Sequence, residues 1–167
     1  MNRGEVAAFD ALYRRYRDWV VRLAHRFTGS QDDALDVLQD TFTYLLTKFP
    51  GFRLTARMTT FLYPVVKNLS LGRRRTRARF LPGDGRFPET PAPETRDDAA
   101  SREELAAVLA ILPDSQREVL LMRFVDDMAL REIAQALRIP LGTVKSRLHN
   151  ALQTLREDER TRRYFQV

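Results

Sequence analysis

At 167 residues the chain suits one domain or two small ones, and a hydrophobic share of 44% excludes a disordered protein. Its 28 basic residues against 22 acidic ones give a net charge of +6, a balance that favours a polyanionic partner, most often nucleic acid. There is no cysteine, so a disulfide scaffold and thiolate metal sites are excluded. The longest apolar run, Leu105 to Leu112, falls far short of the ~18–20 residues that a membrane span needs. The opening MNRGEVAAFD has no apolar signal core. The expected setting is therefore the cytoplasm, with no membrane insertion.

The first predicted helix carries Phe9, Leu12, Tyr13, Tyr16, Val20, Leu23 and Phe27 at spacings of three and four, an apolar stripe that reads as core. Gly29 ends it. Ser30 opens the next helix, with Asp33 three residues on as the acid of a capping box.

That second helix separates cleanly at about 100° per residue. Ala34, Leu38, Phe42, Leu45 and Phe49 fall on one side; Asp33, Asp36, Asp40, Thr43 and Thr47 fall on the other. The macrodipole favours acids in the first turn, which accounts for Asp32 and Asp33 but not for Asp40, well inside the helix. The stripe is either a solvated face or the docking face for a basic protein; it does not face DNA phosphates.

After a loop with Pro50 and Gly51, a third helix is predicted from about Thr59 or Thr60, with Pro64 in or near its first turn, where a missing N–H is tolerated. It ends in Arg73, Arg74, Arg75, Arg77 and Arg79, with no acid among them. Arginines this dense repel one another unless counter-charge arrives, which favours phosphate contact.

Residues 80–100 hold four of the eight prolines and five acids against two arginines, the composition of a flexible linker. Ser101 and Glu104 form a second capping box. A break at Leu112–Pro113–Asp114 precedes REVLLMRF, read as a buried helix. LREIAQAL, the turn RIPLG and TVKSRLHNALQTLRED then make a helix-turn-helix pattern.

On the last helix Val144, Leu148, Ala151, Leu152 and Leu155 share the core face. Ser146, His149, Asn150 and Gln153 oppose them, with Lys145 and Arg147 on the flanks. These are the side chains that read base edges in a major groove, and Thr143 at the helix start suits a phosphate. With His25 the only other histidine, no metal site is expected at His149. The chain has no Gly-rich phosphate loop and no nucleophile–histidine pair, so neither an enzyme nor a cofactor nor a small-molecule substrate is expected.

LPDSQREVLLMRF followed by LREIAQALRIPLGTVKSRLHNALQTLRE resembles the fourth region of bacterial sigma factors. DDALDVLQDTFTYLLTKFPGFR and TTFLYPVVKNL resemble their second region. The order, the linker and the short length of the chain are similar to the extracytoplasmic-function class of the sigma-70 family.

The resemblance implies an all-α fold of two small helical domains: a region 2 bundle at 1–79 and a region 4 helix-turn-helix at 101–160. The linker at 80–100 joins them, and 161–167 is a tail. It implies that Asp33, Asp36, Gln39, Asp40 and Thr43 dock on core RNA polymerase. Lys67, Asn68, Arg73, Arg74 and Arg75, with the loop from Gly51 to Thr60, would capture and melt the minus-ten element. Thr143, Lys145, Ser146, Arg147, His149 and Asn150 would read the minus-thirty-five element.

Core polymerase and promoter DNA are the implied partners, and whether an anti-sigma protein also holds the chain is left open. A helix-turn-helix regulator that never joins polymerase is the alternative; it accounts for 101–160 and leaves 30–79 idle. Five departures from the family pattern stand out. Phe61 replaces the usual Trp, Gly72 interrupts a helix, Asp127 and Arg138 occupy turn positions where glycine is usual, and Ala129 replaces a Ser or Thr cap.

Overall fold

A computed structural model describes residues 6–48, 53–80 and 105–161. Of the expected linker at 80–100 all but Phe80, together with the Ser101–Glu104 capping pair, Phe49, Pro50, Gly51 and the tail beyond 161, lies outside those residues. The chain divides into two compact units, Met1–Thr90 and Pro91–Val167.

Three mutually packed helices build the first unit: α1 (Val6–Thr28), α2 (Gln31–Lys48) and α3 (Met58–Phe80). Their core joins Val20, Leu23 and Ala24 of α1 to Ala34, Val37, Phe42 and Leu45 of α2 and to Leu62, Tyr63 and Val66 of α3. The expected stripe of α1 is fully buried only in its second half. Phe9 and Tyr13 stay half-buried, each edge-on to Phe42, with ring centroids 5.9 and 4.9 Å away.

Gly29 takes a left-handed φ of 64°, and its N–H donates to the His25 carbonyl at 2.7 Å, which closes α1. Only half of the expected capping box forms at α2. The Asp33 N–H donates to Ser30 Oγ, but the Ser30 N–H goes to Thr28 Oγ1 and the Asp33 carboxylate goes to Arg77 of α3.

α3 starts one residue before the expected Thr59. The helix begins at Met58, with the Phe61 N–H on the Arg57 carbonyl, so Pro64 is its seventh residue and lies in the second turn. Proline there removes a bond that the Thr60 carbonyl would have accepted. The helix continues because Met58, Leu62, Tyr63 and Val66 bury on both sides of the break. Farther along, a methyl group added at Gly72 would meet nothing within 4 Å. Gly72→Ala is therefore expected to stabilise the first unit by about 1 kcal/mol, read as a rise in its melting temperature.

The second unit holds a helical stretch at 105–110 (α4), α5 (Asp114–Phe124), α6 (Leu130–Leu137) and α7 (Leu141–Glu157). Val108, Leu112, Leu120, Ala151 and Leu155 form its core, with Leu109, Leu148 and Leu152 packed against them. Arg117 secures the α4–α5 corner: its guanidinium donates to the carbonyls of Leu109 at 2.8 Å and Leu112 at 2.7 Å. Among the described residues there is no strand, and no helix is long and apolar enough to cross a membrane.

Candidate protein and nucleic-acid interfaces

Three residues, Arg138 to Pro140, make the turn between α6 and α7. Arg138 is left-handed (φ 54°, ψ 45°). Its N–H donates to the Gln135 carbonyl, and the Ile139 N–H donates to that of Ala134, the bonding pattern of a Schellman close. Asp127, before α6, also has a positive φ of 50°.

Both departures from glycine therefore cost backbone strain, more for arginine than for aspartate, which tolerates this region better. Ala129 caps α6 with a methyl group. Glu132 accepts the Ala129 N–H at 2.7 Å, but alanine has no oxygen to return the bond. Arg138→Gly and Ala129→Ser should each stabilise the second unit by about 1 kcal/mol, and chemical denaturation of the two single variants measures both gains.

α7 begins at Leu141, two residues earlier than expected, with Pro140 as a cap that offers no side chain. The Val144 N–H makes the first intrahelical bond, to the Pro140 carbonyl at 3.2 Å, so the N–H groups of Leu141, Gly142 and Thr143 precede it. Val144, Ala151 and Leu155 are buried. Lys145, Ser146, His149, Asn150 and Gln153 are exposed, while Thr143 and Arg147 are half-buried. The Ser146 hydroxyl donates to the Thr143 carbonyl at 3.1 Å, and the Gln153 amide donates to Glu157. The outer face is thus polar, outward and clear of the core.

In the first unit, residues that the sequence assigned to two different partners meet each other. Arg73 of α3 donates from Nη1 to Asp36 at 2.5 Å and from Nη2 to Asp40 at 2.8 Å. Arg77 reaches Asp33 at 3.1 Å. The hydrogen bond to Asp40, above all, holds the Arg73 pKa above its ordinary value. Counter-charge for two of the α3 arginines therefore comes from within the chain. Asn68, Arg74 and Arg75 are exposed on α3, Lys67 is half-buried, and Arg75 Nε donates to the Leu71 carbonyl.

Gln39 and Thr43 neighbour the acids on α2, each three residues on from one of them, Asp36 and Asp40. They line a shallow apolar groove between α1 and α2 together with Phe9, Tyr13, Leu35 and Leu46. Leu35 and Leu46 are about half exposed, and sequence reasoning passed over both. The available signal was two leucines lying off the apolar stripe of α2. At the far end of α2, Tyr44 stacks on Phe61 of α3 at 6.5 Å and lies under the Lys48 ammonium.

Comparison with known proteins places this geometry in a family. Residues 12–80 match Sigma-70 region 2, and residues 108–157 match Sigma-70, region 4. The ECF RNA polymerase sigma factor SigW of Bacillus subtilis is 28% identical, over 96% of this chain and 93% of its own length. The RNA polymerase sigma-E factor of Streptomyces coelicolor is 32% identical, over 93% of this chain and 88% of its own. The sigma factor RpoE of Bartonella quintana, solved with the anti-sigma factor NepR, shares the fold at a TM-score of 0.70 and 23% identity, over 91% of this chain and 96% of that one. With both regions matched in order and a relative above 30% identity aligned over most of its length, the chain belongs to the sigma-70 family of RNA polymerase sigma factors, in the extracytoplasmic-function class.

Proposed function

We propose that this chain binds core RNA polymerase and directs it to a specific set of promoters, acting by binding rather than by catalysis, in the cytoplasm. One observation carries the reading. A helix-turn-helix with a clear polar outer face shares the chain with a helical unit that presents acids and an apolar groove on α2. A regulator that never joins polymerase would leave that second surface without use.

In this reading Asp33, Asp36, Gln39, Asp40 and Thr43 dock on polymerase, with Leu35 and Leu46 adding apolar contact. Lys67, Asn68 and the arginines of α3 hold the minus-ten element. Thr143, Lys145, Ser146, Arg147, His149 and Asn150 address the minus-thirty-five element. The domain limits 1–79 and 101–160, with the linker 80–100, belong to the same proposal; the division between Thr90 and Pro91 falls inside that linker. An anti-sigma partner is added on family resemblance alone.

Run-off transcription with purified core polymerase on genomic DNA is the direct test, and failure to initiate anywhere would remove the proposal. A binding test goes with it. Asp36→Lys with Asp40→Lys should weaken core-polymerase binding about tenfold at low salt, with the gap narrowing as salt rises. That reversal also strips Arg73 of its carboxylates. Arg73→Gln is therefore the control, expected to stay within about twofold of the parent for polymerase, since it leaves the acids in place.

A further inference from the structure

We propose that Arg73 is an exchange residue: Asp36 and Asp40 hold it in the free chain, and it passes to the DNA phosphate backbone when a basic protein surface occupies those two carboxylates. The inference rests on the proposed function, which supplies both the basic surface and the DNA.

The geometry that points to exchange is the use of both terminal nitrogens of Arg73. Nη1 is committed to Asp36 and Nη2 to Asp40, so the forked edge that grips a phosphate is already filled by carboxylates. Asp33 extends the seam by holding Arg77, which makes three carboxylates against two guanidinium groups. A phosphate arriving at Arg73 therefore meets a surplus of like charge. Ordered arginines on a DNA-facing helix would be expected to carry their charge outward; here α2 turns it back.

The seam is also built to open. The Arg73 side chain is 36% exposed, and those of Asp36 and Asp40 are 53% and 42% exposed. Ion pairs at such exposure are individually weak, so replacing one set of partners by another costs little. Opposite charges set the direction. A cationic surface on α2 takes the acids, and the guanidinium left behind needs an anion. Docking on one helix thereby raises DNA affinity on the other without any movement of the backbone. The rival account is a fixed bridge that only staples α3 to α2, with Arg73 never serving DNA.

A double-mutant cycle on the full chain separates the two, with a fluorescent random-sequence duplex as probe at low salt. In the parent, Arg73→Gln should change duplex affinity by less than about twofold, because the residue is withheld. Asp36→Asn with Asp40→Asn should raise affinity about fivefold, and adding Arg73→Gln to that pair should abolish most of the gain. All four chains should keep the same helical signal.

A gain that survives in the triple variant would mean that removing two negative charges acts on DNA in bulk, and the exchange would be wrong. A drop of fivefold or more from Arg73→Gln in the otherwise native free chain would equally overturn it. With core polymerase present, Arg73→Gln should become costly, lowering promoter affinity severalfold; no added cost there would refute the hand-over. A chain that does not bind core polymerase at all would remove the proposed function instead, and the cycle in the free chain would still decide between exchange and a fixed bridge.

Discussion

Asn150→Ala and Ser146→Ala are each expected to relax discrimination at one or two positions of the upstream promoter element, by about 1–3 kcal/mol for each base edge that goes unread. Neither side chain supports the fold. Both are exposed, and the one bond that Ser146 makes is to a carbonyl within its own helix. The second unit should therefore melt as before while its sequence preference widens. Lys145→Ala separates two further roles: a side chain on a base gives a position-specific loss, and one on a phosphate gives a uniform loss. Promoter selection with each variant is the measurement. Identical preferences in parent and variants would reduce α7 to a backbone anchor.

Leu62→Ala is expected to have the largest effect on stability, about 2–5 kcal/mol. Leu62 is fully buried near the start of α3, one turn from Met58 and Val66, beside the point where Pro64 has already removed a backbone bond. Against a typical domain stability of ~5–15 kcal/mol, that loss leaves the first unit marginal. Binding to polymerase should fall with it. The second unit has its own core in Val108, Leu112, Leu120, Ala151 and Leu155, and should keep its melting transition and its affinity for duplex DNA. Calorimetry on the variant checks this, and simultaneous loss of both transitions would show that the units do not fold independently.

Local chemistry was readable from the chain. The helix ends at Gly29, Pro113 and Arg138 follow from turn residues and spacing, and so does the polar outer face of α7. The start of α3 was readable to within a residue or two; that the helix runs on past Pro64 in its second turn was settled by burial on both sides of the proline, which the local sequence does not show. The partners of the α2 acids were not readable for a different reason. Periodicity says which face a residue occupies, not what faces it, and the arginines that answer Asp36, Asp40 and Asp33 lie 37, 33 and 44 residues away. A run of arginines taken alone looks short of counter-charge; packed against α2, Arg73 and Arg77 meet it in Asp36, Asp40 and Asp33. Leu35 and Leu46 were legible in principle, as apolar residues off the buried stripe, but they take on meaning only once Phe9 and Tyr13 of α1 close the groove beside them.

The left-handed arginine between α6 and α7 and the methyl-capped start of α6 also bear on how long the chain survives. Each withholds about 1 kcal/mol from the second unit, and together they raise its open population roughly thirtyfold. Degradation tracks that open population wherever reclosing outruns cleavage. DNA that binds only the closed second unit would lower that open population again, by mass action.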